Sequence, residues 1–398
     1  MVDLVNVPRR RVCVFTGSRA DYGPLLPLLR AIDADPELDL RLLVSGGHLV
    51  ADQGFTVRTI ADDGFVVDEC VENVVAGESC RAVSKSFGLA CMGYADALDR
   101  IRPDVLLVAG DRYEALAATI VGVQRRTVVA HIGGGQLSQG SADDGYRHAI
   151  SKLAHVHFAV TERDRARIIG MGENPGRVAT VGMVGLSRST LEQLPGRETL
   201  ESELEFRIRT PTFVVTHHPA TADPGGSKRS LEGLLEALDE FPRARLFFTA
   251  PNVDEGGTVI ADRLREYVRL NQSRAAFAAS LGQRRYLALV RHADVVVGNS
   301  SSGINEAPLL GTPTVNIGRR QDGRHKASSV VDCGESSAEI VDAIRKALAM
   351  TAMTATTALP AKSDHDAPTP GDLGLITKWL REMNLKEMTR KYFFESTC

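Results

Sequence analysis

The stretch GNSSSGINEAPLLGTPTVNIGRRQDGR, residues Gly298 to Arg324, decides how the rest of the chain is read. Ahead of it, Ala293 to Val297 is a short β-branched run that predicts a buried strand, and Gly303 to Ala307 predicts the start of a helix. Ser300, Ser301 and Ser302 therefore fall on a strand-to-helix turn, where backbone N–H groups and the positive end of the helix dipole point at whatever lies above the sheet. The three hydroxyls add donors, and the result is a seat for an anion. Glu306, one turn further on, has the chemistry to accept both protons of a ribose diol. A second buried run, Pro313 to Ile317, delivers Arg319, Arg320 and Arg324, which can offset phosphate charge. A serine-rich cap on an ordinary helix would explain the serines alone. The cap, the acid and the arginines within one αβ unit favour a ligand site.

At 398 residues the chain is too long for one ordinary core, so two domains of similar size are expected. Hydrophobic residues at 43% and charged residues at 24% are ordinary for a folded protein and argue against disorder or a fibrous class. The net charge of −3 and the lack of a long basic run argue against nucleic acid as the main partner. Arg9-Arg10-Arg11 reads as a short solvated tail. Cys13, Cys70, Cys80, Cys91, Cys333 and Cys398 lack CxxC spacing and read as reduced thiols. No apolar run approaches the ~20 residues of a membrane span, and no signal-peptide core is apparent, so a cytoplasmic protein without a membrane partner is expected.

Outward from the serine turn, the first half reads as five or six βα units. Arg11 to Thr16 is a buried strand that breaks at Gly17-Ser18-Arg19-Ala20-Asp21 and opens onto a helix over Pro24 to Ile32, the geometry of a Rossmann-type first turn without GxGxxG. Arg19 and Asp21 stand on the ligand-bearing loop, though either can instead close a local ion pair. Asp39 to Val44 ends at Ser45-Gly46-Gly47-His48, which sets His48 either toward the cleft or as a polar loop residue. Asp62 to Asp68 suggests a third strand, and Ser79 to Leu98 a long helix whose Lys85 is undecided between phosphate and solvent. Arg102 to Val108 is a strand ending at Asp111 and Arg112, where parallel sheets gather catalytic groups. Thr127 to His131 opens onto the glycine-dense loop Ile132 to Gly145. Asp143, Asp144, Arg147, His148 and Lys152 follow on the first turns of a helix, spaced so that only some of them share one face.

In the second half, Leu191 to Thr210 reads as a hinge. Thr212 to Thr216 is a strand ending in His217-His218-Pro219; no third ligand lies at metal spacing, so no metal is expected and His218 suits a diphosphate or general-acid role. Asn252, after the strand Ala244 to Thr249, can contact phosphate or base. Ala349 to Ala361 reads as a loosely ordered connector and Leu373 to Glu382 as a final amphipathic helix packing back on the body. The expected domains are 1–190, on the side of the reacting group, and 191–372, on the nucleotide side, with 373–398 as a returning tail.

GSRADYGPL (17–25), VLLVAGDRYEALAA (105–118), GSADDGYRHAISKLAHVHFAVTE (140–162), THHPAT (216–221) and the serine stretch together resemble the hydrolysing UDP-N-acetylglucosamine 2-epimerases, including the sialic acid and legionaminic acid pathway enzymes. The resemblance spans nearly the whole chain. It implies an α/β protein of two Rossmann-like domains facing across a cleft, as in GT-B glycosyltransferases, with UDP bound and neither metal nor NAD. By resemblance Ser300, Ser301, Glu306, Arg320, Asn252 and His218 match nucleotide and diphosphate contacts, with Arg19 and Arg112 on the opposing domain. His48 and Ser302 are added as binding candidates, and Asp111, Asp143, Asp144, Arg147 and His218 as catalytic ones. The implied reaction removes the C2 proton, expels UDP from C1 to give a glycal, and adds water. A homo-oligomer, dimer or tetramer, is expected, and no cofactor.

One departure stands out. The family loop reads H-I-E-G-G-E or H-I-H-G-G-E, whereas this chain has His131-Ile132-Gly133-Gly134-Gly135-Gln136. A glycine at 133 has no proton to give or take. Either Asp143 or Asp144 takes over, or the reaction or the sugar differs: hydrolysis without inversion at C2, or a bulkier substituent in the emptied space. A glycosyltransferase on the same scaffold and a UDP-sugar-binding protein without turnover are the alternatives from other classes.

Overall fold

Val12, Cys13, Val14 and Phe15 are all buried, so the strand Arg10–Thr16 (β1) is covered on both faces, as a central parallel strand must be. The computed structural model describes residues 9–77, 79–138, 142–219, 226–251, 257–356 and 368–395. Within them the chain divides into two units. The first holds residues up to 136, 142–188 and 369 onward; the second holds 189–368 and the short segment from Leu137.

In the first unit β1 is flanked by Leu38–Ser45 (β2) and Val105–Ala109 (β4), with Glu69–Val71 (β3), Val128–Ile132 (β5), Val156–Ala159 (β6) and Val178–Thr180 (β7) completing a sheet ordered β3-β2-β1-β4-β5-β6-β7. All the pairings are parallel, with Val12 opposite both Leu40 and Val105. Successive side chains alternate faces. Val12, Val14 and Leu107 pack with Leu25, Leu28 and Leu29, while Cys13, Phe15, Leu106 and Val108 pack with Tyr94, Leu98 and Ala118.

The strand Met183–Ser187 (β8) follows, and the chain passes into the second unit. There Thr212–Thr216 (β9), Arg245–Thr249 (β10), Ala275–Ala278 (β11), Val295–Gly298 (β12), Thr314–Ile317 (β13) and Val330–Cys333 (β14) form a second all-parallel sheet. Its order is β11-β10-β9-β12-β13-β14, the doubly wound order repeated. In each sheet the strand order reverses beside the first strand: between β1 and β4, and between β9 and β12.

The chain then returns to the first unit, where Pro370–Gly371 (β15) pairs with β8. Helix Leu373–Glu382 lays Ile376 and Leu380 into the core beside β1, and Trp379 meets Phe158 edge-on. Each fully buried side chain of that kind stabilises by roughly 1.5–3 kcal/mol. Arg10 donates to the Leu380 carbonyl (2.6 Å) and Arg381 pairs with Asp35, fixing the helix end. The crossings between units fall at 188/189 and 368/369, short of the 190/191 and 372/373 read from sequence, because Thr369 already bonds to β8: its carbonyl accepts from the Met183 N–H.

Three sequence expectations are corrected. Arg10 and Arg11 are no solvated tail but open β1, with Arg11 donating to the Ile101 carbonyl (2.7 Å) and to Asp39 (3.2 Å). The third strand is not Asp62–Asp68: helix Val57–Asp62 ends there, Gly64 turns the chain at φ +93°, Val66 is 80% exposed, and Phe65 and Val67 pack against the core without pairing as a strand. The strand is the polar-looking Glu69–Val71, tolerated because it lies at the sheet edge. Ala349 to Thr356 is no loose connector but the end of helix Ser337–Thr356; residues 357–361 lie outside those described.

Gly298 closes β12 at φ +141°, and a Cβ there would lie 1.9 Å from the Thr216 carbonyl oxygen. Gly298→Ala is expected to destabilise the second unit by on the order of 3 kcal/mol or more. Gly311→Ala, also at positive φ but with nothing within 4 Å of the added atom, should cost only about 1–2 kcal/mol. Thermal unfolding of the two variants makes the comparison.

Candidate functional site

The second unit gathers its polar groups at its switch point. Asn299, 4% exposed, is the link. Its Oδ1 accepts from the His218 N–H (2.7 Å) and its Nδ2 donates to the His218 carbonyl (2.9 Å), while its own N–H donates to the Thr216 carbonyl (3.2 Å). The ends of β9 and β12 are thereby joined as one surface. The Asn299 carbonyl in turn accepts from Arg320 (3.3 Å) and from the Gln321 side chain (2.8 Å), which fixes the loop after β13 against the same point.

On this frame Ser300 caps helix Ser301–Leu309, its hydroxyl oxygen accepting from the Ser302 N–H (3.3 Å). Ser300 and Ser301 are half-buried at the positive end of that helix, the strand-to-helix turn on which the sequence placed them. Ser302 lies deeper, 9% exposed; its hydroxyl is close to Tyr286 and Glu306 but makes no hydrogen bond of proper geometry to either. Burial raises the Glu306 carboxyl pKa, with Ser302 opposing that shift. Among the other arginines, Arg324 donates to Ser138 (2.8 Å), and Arg319 points to solvent and pairs with Asp322 (3.0 Å). Asn252 lies outside the described residues.

Burial, reinforced by Arg320 and His217, lowers the His218 pKa to about 3; burial, then Arg320, lowers that of His217 to about 4. Both rings are therefore neutral near pH 7. His217 is 1% exposed and both its ring nitrogens lack hydrogen-bond partners among the described residues. Sequence reasoning passed over His217, Asn299 and Gln321. An asparagine directly after the glycine that ends a strand was the available signal for the second of these.

The first unit has its own cluster at its own switch point. Asp111 follows β4, and Arg147, 3% exposed on helix Ala142–Leu153, reaches it through Nη2. Arg147 also donates to the Gln136 carbonyl (3.0 Å) and lies 3.6 Å from Asp144, which is 3.5 Å from His148. Asp143 is half-buried on the same first turn. His131, fully buried in β5, is held between the Gly110 carbonyl (2.8 Å) and Ser151 (3.0 Å), and burial takes its pKa to about 3. Gly133 then turns the chain at φ +78°, with no atom within 4 Å of where a Cβ would stand.

Arg19 is exposed at the start of helix Arg19–Asp33 and Arg112 is exposed ahead of helix Tyr113–Gln124. Asp21 is consumed in its own turn, accepting from Thr16 (2.7 Å) and the Gly17 N–H (2.8 Å). Lys85 is exposed. His48 is a correction: it is 0% exposed, and its two ring nitrogens are occupied by Thr16 (2.9 Å) and Thr56 (2.7 Å), with Tyr22 edge-on to the ring. Because Thr16 gives its proton to Asp21, His48 Nε2 donates to Thr16 and Nδ1 accepts from Thr56. His48 orders the β1 turn and presents neither nitrogen to a ligand. Glu114, 4% exposed beneath this turn and raised in pKa by burial, is an acid the sequence reading did not single out.

Among the described residues no helix is long and apolar enough to cross a membrane. Residues 30–363 match the family model described as UDP-N-acetylglucosamine 2-epimerase. The chain is 32% identical over 324 residues to the GDP/UDP-N,N'-diacetylbacillosamine 2-epimerase (hydrolyzing) of Campylobacter jejuni, covering 81% of this chain and 84% of that one. It is likewise 32% identical over 342 residues to the UDP-N-acetylglucosamine 2-epimerase of Neisseria meningitidis, covering 86% and 88%. Its fold is similar, with a TM-score of 0.74 at 16% identity, to the crystal structure of a Neisseria meningitidis UDP-GlcNAc 2-epimerase bound to UDP-GlcNAc, over 94% of this chain and 98% of that one. With its two Rossmann-like sheets, the GT-B-like arrangement of parallel strands, and a family match over most of its length, the chain belongs to the UDP-N-acetylglucosamine 2-epimerase family.

Proposed function

We propose that this chain is a hydrolysing 2-epimerase that releases UDP from UDP-N-acetylglucosamine or a related UDP-linked acetylated amino sugar. The observation that carries the reading is the Asn299 frame, which brings a serine-capped helix start, Glu306, His218 and Arg320 to one switch point. Hydroxyls, backbone N–H groups and a guanidinium suit a diphosphate, and the carboxylate of Glu306 suits the ribose diol. The two relatives at 32% identity, named for different sugars, support the substrate class without separating its members.

For the chemistry, a base takes the C2 proton as the C1–O bond breaks, the electron pair leaves on UDP, and a glycal forms; water then places hydroxyl on C1 and a proton on C2. Arg147 pairs with Asp111, which suits Asp111 to the part of a fixed group in the site. Asp143 and Asp144 are then assigned the proton transfers that Gly133 cannot make. His218, neutral in the free chain, donates a hydrogen bond to the diphosphate, whose charge raises the ring's proton affinity as UDP departs. A second reading, hydrolysis without inversion, is favoured by one feature alone: the lack of any carboxylate at positions 133 and 136.

In deuterated water, turnover of UDP-N-acetylglucosamine is expected to yield free sugar carrying deuterium at C2. UDP release with only protium there would eliminate the glycal route. Glu306→Gln should weaken UDP binding by about 10- to 100-fold, the worth of a charge-assisted hydrogen bond of about 1.5–3 kcal/mol. Calorimetry with 2′,3′-dideoxy-UDP should then show no difference between the two proteins. Gly133→Glu places a carboxylate in open space at a cost of about 1–2 kcal/mol for its left-handed backbone. It should fold and change the rate of deuterium incorporation at C2; an unchanged rate would show that position 133 has no part in the proton transfer.

A further inference from the structure

The opposite edge of the first sheet carries a cavity of about 360 Å³ that the proposed reaction does not use. It lies at the starts of β4 and β5 and is closed on one side by Lys386 and Thr389 of the returning C-terminal segment. Its charged lining is Arg102, Arg125, Arg126 and Lys386 against the single carboxylate of Asp104. That carboxylate is already engaged, accepting from the Arg11 N–H (2.8 Å).

Local structure alone does not account for these cations. Arg125 pairs with Asp99 (2.8 Å) through Nη2, yet its Nε is buried without a hydrogen-bond partner among the described residues. Arg126 and Lys386 make no ion pair among them. Arg102 and Arg126 hold left-handed backbone, at φ +51° and +58°, where glycine is the favoured residue at a helix end and an arginine is strained. Two strained arginines bordering one cavity mean that the stability glycine would supply has been forgone where a positive side chain is present. The carbonyl ends of helices Cys80–Ile101 and Tyr113–Gln124 also point here, and they need less cationic charge than four side chains provide.

We propose that this cavity is a binding site for a small diphosphate-bearing molecule, held by Arg102, Arg125, Arg126 and Lys386. Its volume exceeds what a single phosphate fills, and guanidinium groups match phosphate oxygens in pairs. The site stands at the starts of strands whose far ends carry Asp111 and Gly133, so it is distinct from the proposed reaction site.

The test is titration of the full chain, labelled with ¹³C at Leu and Val methyls, with inorganic pyrophosphate. The methyls of Leu385 and Val128, both lining the cavity, are expected to shift saturably. In R102G/R126G, which replaces both strained residues with glycine and should melt no lower than the parent, the apparent affinity read from those methyls should fall at least about ten-fold. Lys386→Ala, on an exposed turn, should weaken it several-fold and serves should the double variant fold poorly. Cavity methyls that do not shift, or that shift with undiminished affinity in the variants, would overturn the proposal.

Discussion

The second unit depends on one side chain amide. Asn299 spends both of its polar atoms on the backbone of His218, and its own backbone carbonyl on Arg320 and Gln321. Parallel strands diverge beyond their last ladder bond, and at a switch point the connections lead to opposite faces, so nothing in the sheet itself holds the two loops together. A buried amide satisfies donor and acceptor of a neighbouring peptide at once and restores what the ladder no longer supplies. Gly298 makes this geometry possible, since β12 passes too close to the Thr216 carbonyl for any side chain. The serine turn, the histidine and the arginine keep their relative positions because all refer to the same residue.

Burial is the second constraint. His131, His217 and His218 sit where solvent cannot stabilise a charge, so each is neutral, with a pKa displaced to about 3 or 4. Since the unfolded chain binds protons near pH 6.5 and the native chain does not, stability from these groups is complete above that pH and is lost progressively as pH falls toward 3. Neutral rings also leave Arg320 the dominant positive charge close to His218. An anion arriving there would meet a guanidinium and neutral donors, a combination suited to the diphosphate of the proposed substrate without the repulsion that three adjacent cations would carry.

Much of this was legible beforehand, and the reason is the parallel sheet. Central strands buried on both faces read as unbroken apolar runs, so β1, β4, β5, β9 and β12 stand out, and the residues just past them are the candidates for ligand contact by topology alone. The edge strand β3 escaped for the converse reason: Glu69–Val71 is half polar because one side has no neighbour, and the apolar Phe65-Val66-Val67 beside it drew the assignment away. His48 misled because a histidine after two glycines at a strand end has the same sequence signature whether it serves a ligand or a turn. Only the positions of Thr16 and Thr56 separate the two, and they are distant in sequence. Arg147 was placed among the acids, but its burial and its grip on Asp111 are tertiary facts that no spacing encodes.

The two clusters differ in charge as the proposed chemistry requires. Breaking the C1–O bond puts negative charge on the diphosphate, which cations and donors must meet, whereas removing a proton from C2 needs a carboxylate that remains basic. Cations close to that carboxylate would depress its proton affinity and defeat it. The serine turn, Arg320 and His218 belong to one sheet, and Asp111, Asp143 and Asp144 to the other, so the demands do not compete within one cluster. Arg147 is the exception, and its placement is informative. It pairs with Asp111 at closer range than with Asp144, in a chain that has glycine at 133 and glutamine at 136. If the family's base stood at position 133, its loss here would have to be compensated from the first turn of helix Ala142–Leu153, and two adjacent aspartates on that turn are the residues with the chemistry to do it.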